Sequence, residues 1–266
     1  MKCFSIDLDG TLLNSSHEIS KKNLQTLNEL KEQGHSLILN TGRAYKDVIK
    51  IDQIKKMQIP IFCVNGSVLY SATGKLLYEA TIPLNTYKKL FSILKNIEDV
   101  GILVYTKDGG FPSTLPPLHH KSKEELHSLF NEFDYDIILS NSDLKIYKLI
   151  ALVHNDRLEK IEKVKESLFG NFNLSIASSF PNNVEITSGD AHKGKAILRY
   201  QEMMNVTFDE IFAFGDGGND LAQFEVATVS VAMGNAPLEI QQSADIITKT
   251  NDDDGFAHAV HHLLNL

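Results

Sequence analysis

The sequence predicts an α/β protein in which a parallel-sheet core is interrupted by a second, inserted α/β domain. Three observations lead there. Residues 2 to 65 run strand, helix, strand, helix, strand, the rhythm of a parallel sheet with helices on its faces. After Pro83, roughly a hundred residues alternate helices and strands in a different order, enough for a domain of their own. From Lys193 the first rhythm resumes. The expected division is a core of residues 1–81 and 188–266 around an insertion at 82–187.

Lys2 to Ile6 is a short strand, a brief β-favouring run bounded by a turn signal. It ends in Asp7-Leu8-Asp9-Gly10-Thr11. Successive strand side chains alternate faces, so Asp7 and Asp9 share one side. Gly10 then lets the backbone turn sharply. Ser20 caps a helix carrying Leu24, Leu27 and Leu30, with Gly34 just past its end. His35 to Asn40 is the second strand and ends in Thr41-Gly42-Arg43. Residues 44 to 57 read as one helix with Val48, Ile49 and Ile54 facing inward. Pro60 opens the third strand, which ends at Asn65-Gly66. Ser67 to Thr81 reads as a β-hairpin around Ala72-Thr73-Gly74.

Within the insertion, 84–98 is helical and 101–106 a strand, and Lys107 to His120 is a loop rich in Gly, Pro and His. A helix near 122–133 follows, then a strand from Leu144 to Val153. Next come a helix over 156–169 with Leu158, Ile161, Val164 and Leu168, and strands at 172–178 and 182–187. The core resumes as a helix from Lys193 to Asn205 and a strand at 210–214 leading into Gly215-Asp216-Gly217-Gly218-Asn219-Asp220. A short helix, strands around 229–233 and 244–248, a helix near 236–242 and a last helix from about 253 complete it.

A length of 266 residues with 42% hydrophobic and 23% charged content gives a soluble chain with room for a sizeable core. The net charge of −8 excludes the basic stripe of a nucleic-acid binder. It leaves phosphorylated small molecules open, provided a cation reverses the field locally. Cys3 and Cys63 lie in apolar strand-like runs, expected as buried free thiols in a reducing, cytoplasmic setting. No signal peptide is read at the N-terminus, and no apolar run reaches the ~20 residues of a membrane span.

The polar residues of four segments each follow an apolar strand or open a helix: Asp7 and Asp9, Thr41, Lys193, and Asp216 with Asn219 and Asp220. In an open α/β sheet, ligands bind beyond the carboxyl ends of the strands. All four segments meet there if the first strand lies between the second and 210–214.

In order, these segments resemble the four motifs of the haloacid dehalogenase (HAD) superfamily: DLDGT, the threonine of LNTGR, the lysine of AHKGKA, and GDGGND. The place of the insertion, together with VNGS, VYTKDGG and NDDDGFA, is similar to the Cof-like class IIB branch. The resemblance implies a Rossmann-like core with an α/β cap, and a Mg2+-dependent phosphatase acting on small phosphorylated metabolites such as sugar phosphates. It implies Asp7 as the nucleophile that forms an aspartyl-phosphate and Asp9 as the acid and base. Phosphate would be held by Leu8, Thr41, Gly42, Lys193 and Asn219. The metal would be held by Asp7, the Asp9 carbonyl and Asp216, with Asp220 in support. Specificity for the leaving alcohol is expected from the loop carrying Phe111, His119 and His120.

Two residues depart from the family pattern. Gln223 and Phe224 replace a Met-plus-aliphatic pair, which is expected to affect packing only. His192 stands where a smaller residue is usual, and there it could meet the substrate. A phosphomutase is the alternative enzyme, but it needs basic cap residues and the segment 107–118 offers only Lys107. A non-catalytic phosphometabolite-binding module is the other alternative, and it has no use for Asp9 as an acid. Arg43 is left out of the site. Glu185 is read as solvent-facing, His258, His261 and His262 as structural, and Asp252-Asp253-Asp254 as a solvated helix cap.

Overall fold

The computed structural model describes residues 1–106, 109–112, 143–168, 170 and 172–263. The chain divides into two compact units, Met1–Tyr78 with His192–Leu266, and Glu79–Ala191. These joints lie a few residues from the 81/82 and 187/188 read from the sequence. Glu79 belongs with the insertion because its carboxylate accepts from Lys145 Nζ and, at 2.8 Å, from Tyr147 Oη. At the other joint, the Gly189 amide donates to the Asn173 carbonyl at 3.0 Å, and Thr187 Oγ1 donates to the Ala191 carbonyl at 2.6 Å.

The first unit is built on β1 (Lys2–Ile6), β2 (Ser36–Asn40), β3 (Ile61–Cys63), β4 (Val68–Tyr70) and β5 (Leu76–Glu79), of which the last residue, Glu79, falls in the second unit. After the insertion, β11 (Glu210–Gly215), β12 (Val229–Ala232) and β13 (Ile246–Ile247) complete its sheet. The order is β13-β12-β11-β1-β2-β3-β4-β5. Pairing is parallel from β13 across to β3, and β4 returns antiparallel on β3. β1 is therefore central, between β11 and β2, and both its faces are buried. Phe4 stacks on Phe212 with ring centroids 5.1 Å apart, and Phe214 meets the edge of Phe256 at 4.9 Å. On the other face Cys3, Ile38 and Phe62 pack with Ala196 and Ile197 of the helix Lys193–Met204.

The inserted unit has a five-stranded sheet. Its strands are β6 (Gly101–Thr106), β7 (Gly109–Pro112), β8 (Ile146–Leu152), β9 (Leu174–Ala177) and β10 (Asn183–Ser188), in the order β7-β6-β8-β10-β9. The strands pair antiparallel. Helices Leu84–Leu94 and Glu159–Leu168 bring Tyr87, Leu90, Leu94, Ile161, Val164 and Leu168 into one core with the strands.

Three expectations change. The helix over 44–57 is two short ones, Tyr45–Val48 and Asp52–Met57, with Ile51 extended between them. β-branched Val48, Ile49 and Ile51 favour such a break over a continuous helix. Residues 109–112 form β7, its register paired to β6, where a loop was expected. Leu158 lies before its helix and is exposed. The helix expected near 122–133 lies outside the described residues. Among the described residues no helix is long and apolar enough to cross a membrane.

Candidate active site

β1 runs straight into Asp7, whose amide donates to the Phe214 carbonyl of β11 at 3.0 Å. The chain then turns through Leu8–Leu12 with Gly10 at φ 71°. Any larger residue there would combine a left-handed backbone with a Cβ 2.2 Å from Asp216 Oδ2. β11 delivers Asp216, and the turn Gly218–Asp220 delivers Asn219 and Asp220. Lys193 is the first residue of its helix, capped by His192.

Lys193 is completely buried between two carboxylates. Its Nζ donates to Asp7 Oδ1 at 2.6 Å and to Asp220 Oδ1 at 2.7 Å. Asp220, also buried, accepts at Oδ1 from Gln223 Nε2 at 2.7 Å. At Oδ2 it accepts from the amides of Asp216 and Gly217, both at 3.0 Å. That fills the roughly four acceptor sites of a carboxylate. Asp216 Oδ1 accepts from Thr11 Oγ1 at 2.9 Å. One oxygen from each of Asp7, Asp216 and Asp220 lies within 4.8 Å of the others.

Charge in this cluster is unbalanced. Burial alone would pull the Lys193 ammonium down, but Asp220 and Asp7 outweigh it and hold the lysine charged, its pKa raised. Burial raises Asp7 well above the usual carboxylate range; Asp220 and Asp216 add to this and Lys193 opposes it. Asp216 is pushed up to about 7, by burial first and then by Asp220. Three carboxylates around one ammonium lack positive charge, which a divalent cation would supply. The donors are all oxygens, as a hard cation prefers. Asp220 is saturated, so Asp7 and Asp216 are the side chains fitted to hold such an ion.

Asp9 is placed differently. Arg43 Nε donates to its Oδ2 at 2.7 Å and Nη2 to its Oδ1. A third group forms around Thr41, whose Oγ1 accepts from the Arg43 amide at 3.2 Å and whose carbonyl accepts from the Asn65 amide at 3.0 Å. Asn219 Nδ2 donates to Asn65 Oδ1 at 3.3 Å. Leu8 lies in the turn after Asp7, and Gly42 follows Thr41 at the end of β2. Phe111 falls in β7, where its backbone pairs with Val104. The Phe111 side chain, His119 and His120 lie outside the described residues.

Four residues of these groups were missed or misjudged from the sequence: Thr11, Arg43, Asn65 and Gln223. Thr11 and Asn65 sit inside quoted motifs, DLDGT and VNGS, so the signal was present. Gln223 was expected only to pack. It is fully buried, and its amide hydrogen-bonds Asp220, Phe214, Ser5 and Asn40. His192, read as a possible substrate contact, uses Nδ1 to accept from the Lys195 amide at 3.2 Å and caps the helix. That role requires a neutral ring acceptor, and burial lowers its pKa accordingly.

One other reading changes. Glu185 is buried and paired with Lys148 at 3.2 Å instead of facing solvent. In the acidic run, Asp252 accepts from the amide and hydroxyl of Ser15 at 2.7 and 2.6 Å, and Asp254 accepts from Ser20 Oγ. The run thus ties down the loop after the first motif. His258 Nδ1 lies 3.2 Å from Thr248 Oγ1, and His261 Nε2 lies 2.9 Å from Thr26 Oγ1.

The model of the haloacid dehalogenase-like hydrolase family matches residues 4–260. Phosphatase YwpJ of Bacillus subtilis (strain 168) is 31% identical, with 99% of this chain and 100% of that protein aligned. The 5-amino-6-(5-phospho-D-ribitylamino)uracil phosphatase YwtE of the same organism is 28% identical over 100% of this chain and 99% of its own. The solved structure of a haloacid dehalogenase-like hydrolase from B. subtilis superposes with a TM-score of 0.84 at 28% identity, covering 99% of this chain and 100% of that one. With the four motif segments gathered at one end of the sheet, the chain belongs to the haloacid dehalogenase-like hydrolases, in the Cof-like class IIB branch.

Proposed function

We propose that this phosphatase hydrolyses small phosphomonoesters, sugar phosphates or related metabolites, through an aspartyl-phosphate on Asp7, with Mg2+ as its metal. The observation that carries the reading is Lys193, buried and bonded to both Asp7 and Asp220. A lysine serving only stability would have little reason to stand beside three carboxylates at the mouth of a parallel sheet. An ammonium has three donors, and two are used within the cluster. The third would be given to a phosphoryl oxygen, so that Lys193 would both neutralise the incoming phosphate and orient the nucleophile.

Asp7 attacks phosphorus, and the bond from phosphorus to the alcohol oxygen breaks as the Asp7–phosphorus bond forms. Asp9 gives its proton to the departing alkoxide. A water then attacks the aspartyl-phosphate, Asp9 takes that water's proton, and phosphate leaves with Asp7 restored. Thr41, the Gly42 amide and Asn219 hold the remaining phosphoryl oxygens by hydrogen bonds, with Asn65 fixing Asn219. Mg2+, held by Asp7, Asp216 and the Asp9 carbonyl, would supply the positive charge that lets an anionic nucleophile approach an anionic ester. The relative named for a phosphorylated ribitylamino compound supports a monoester on a sugar-like alcohol.

The test is phosphate release from a panel of phosphorylated metabolites and p-nitrophenyl phosphate, with and without Mg2+. Asp7→Asn should fold, keep its Tm within a few degrees and lose turnover by many orders of magnitude. Asp9→Asn should lose ~10²–10⁴-fold on alkyl esters, and less on the aryl ester, whose leaving group needs little protonation. Undiminished turnover in EDTA or in Asp7→Asn would overturn this mechanism.

A further inference from the structure

Beneath Lys193 and Asp220 lies a layer of three buried polar side chains, Ser5, Asn40 and Gln223, that none of the steps above uses. Ser5 stands on β1 two residues before Asp7, on the same face of the strand. Asn40 is the last residue of β2, and Gln223 lies in the short helix Leu221–Phe224. Ser5 Oγ donates to Gln223 Oε1 at 2.7 Å. Asn40 Nδ2 lies 3.1 Å from Ser5 Oγ, 3.2 Å from Gln223 Oε1 and 3.0 Å from the Lys193 carbonyl. With its oxygen committed on that side, Gln223 turns Nε2 toward Asp220 Oδ1 at 2.7 Å and the Phe214 carbonyl at 3.1 Å.

Each end of this layer touches the active cluster. Gln223 and Lys193 share one oxygen of Asp220, so the Gln223 amide, together with the Asp216 and Gly217 amides on Oδ2, sets how the Asp220 carboxylate plane meets the ammonium. Asn40 holds the backbone of the residue that carries that ammonium. The orientation of Asn40 is forced, since turning its amide round would set an oxygen against the Lys193 carbonyl. It is also costly, because among the described residues nothing donates to the buried Asn40 Oδ1. An unpaired buried acceptor destabilises the fold. An apolar filling of the same volume would avoid that penalty, so the layer is poorly explained as a device for stability.

We propose that Gln223, seated by Ser5 and Asn40, is a positioning residue: it fixes Asp220, and through it Lys193, in the geometry that meets the pentacoordinate phosphorus of the transition state. The inference rests on the phosphatase reading of the site. A positioning error of even a fraction of an ångström acts on the transition state more than on bound substrate. Losing Gln223 should therefore lower kcat and spare KM.

The experiment compares the wild type, Gln223→Met, and the triple variant Ser5→Ala/Asn40→Leu/Gln223→Met, all retaining Asp7, Asp9 and Lys193. Gln223→Met preserves volume but strands Ser5 and Asn40. It should lower Tm and reduce kcat on p-nitrophenyl phosphate by roughly 10- to 100-fold, the loss expected of a displaced catalytic group, with KM within about twofold. The triple variant removes the stranded groups together, which can be nearly neutral for stability, so Tm should recover while kcat stays low. Inhibition by orthovanadate, which adopts the pentacoordinate geometry, should weaken in both variants by about the factor lost from kcat. Inhibition by inorganic phosphate should hold. Recovery of kcat together with Tm in the triple variant would overturn the proposal and leave the layer as packing. So would equal weakening of vanadate and phosphate, or wild-type kcat in Gln223→Met. Because every variant keeps Asp7, such a failure reads on Gln223 and not on the nucleophile.

Discussion

Arg43 grips Asp9 with both arms of its guanidinium, Nε on Oδ2 at 2.7 Å and Nη2 on Oδ1. The two side chains come from different segments, the turn after β1 and the loop after β2, and each is only partly buried. A bidentate fork fixes the plane of a carboxylate as well as its distance. The side chain proposed as acid and base is thus held in one orientation, as a carboxylate, before substrate arrives, and one arm of the fork must release for it to carry the proton passed to the leaving alcohol.

Arg43→Lys keeps the charge but removes the fork. We expect kcat/KM on alkyl phosphates to fall roughly tenfold, a modest loss typical of a loosened general acid. p-Nitrophenyl phosphate, which barely needs the acid, should stay within about twofold. Steady-state kinetics on matched alkyl and aryl esters decide it. Equal losses on both would assign Arg43 to phosphate binding instead.

Gly10→Ala tests the close approach of the first motif to Asp216. The substitution places a Cβ 2.2 Å from Asp216 Oδ2 on a backbone at φ 71°. The left-handed conformation alone costs roughly 1–2 kcal/mol, or about 2–8 °C in Tm for a chain of this size class. Asp216 must also move, so turnover should fall by more than the stability loss explains. Calorimetry paired with kcat at a temperature where the variant is fully folded separates the two. An active variant with an unchanged Tm would show that the turn relaxes freely.

Much of this was legible from sequence because the site is assembled at strand ends. Asp7, Thr41 and Asp216 each follow an apolar run, and a parallel sheet brings such ends together whatever the intervening loops do. The expected place of β1, between β2 and β11, follows from the same logic and is the one observed. What the sequence hid was which side chains grip which. Gln223 reads as one more helix residue; only its burial against Ser5 and Asn40 turns it into a partner of Asp220. Glu185 reads as an exposed carboxylate on a strand, because its partner Lys148 is remote in sequence and adjacent only across β8 and β10. Alternation along a strand says which face a residue takes, but not what covers that face.

Asp216→Asn should separate metal binding from stability. The folded pKa of Asp216 is raised to about 7 from an ordinary 3.8, so the native state binds a proton more tightly than the unfolded chain does. Ionised Asp216 therefore destabilises the metal-free fold; the penalty is absent below about pH 4, grows as pH rises and is complete above 7. In EDTA at pH 8 the asparagine variant should melt several degrees above wild type, and near pH 4 the two should coincide. Added Mg2+ should raise the wild-type Tm and leave the variant nearly unmoved. Thermal melts at both pH values, with EDTA and with Mg2+, check the sign. A variant that melts lower at pH 8 in EDTA would contradict the charge imbalance described for this cluster.

The last prediction concerns the buried pair of the inserted unit. Lys148 Nζ stands 3.2 Å from Glu185 Oε2 and 4.7 Å from the centre of the Tyr105 ring, and Ser179 Oγ donates to Glu185 Oε1 at 2.9 Å. Lys148 is 2% exposed and Glu185 5%, so neither charge is relieved by water. Removing one partner of such a buried pair typically costs about 3–5 kcal/mol. Replacing both with apolar side chains of similar volume is often near neutral. Lys148→Met and Glu185→Leu should each lower the unfolding midpoint sharply, whereas the double variant should recover most of the loss. Ser179, which loses its acceptor with Glu185, sets a small residual penalty. Denaturant unfolding of wild type, both single variants and the double variant gives the coupling directly. If the single losses simply add, within about 0.5 kcal/mol, the two charges do not depend on each other, and the pairing across β8 and β10 contributes nothing of its own.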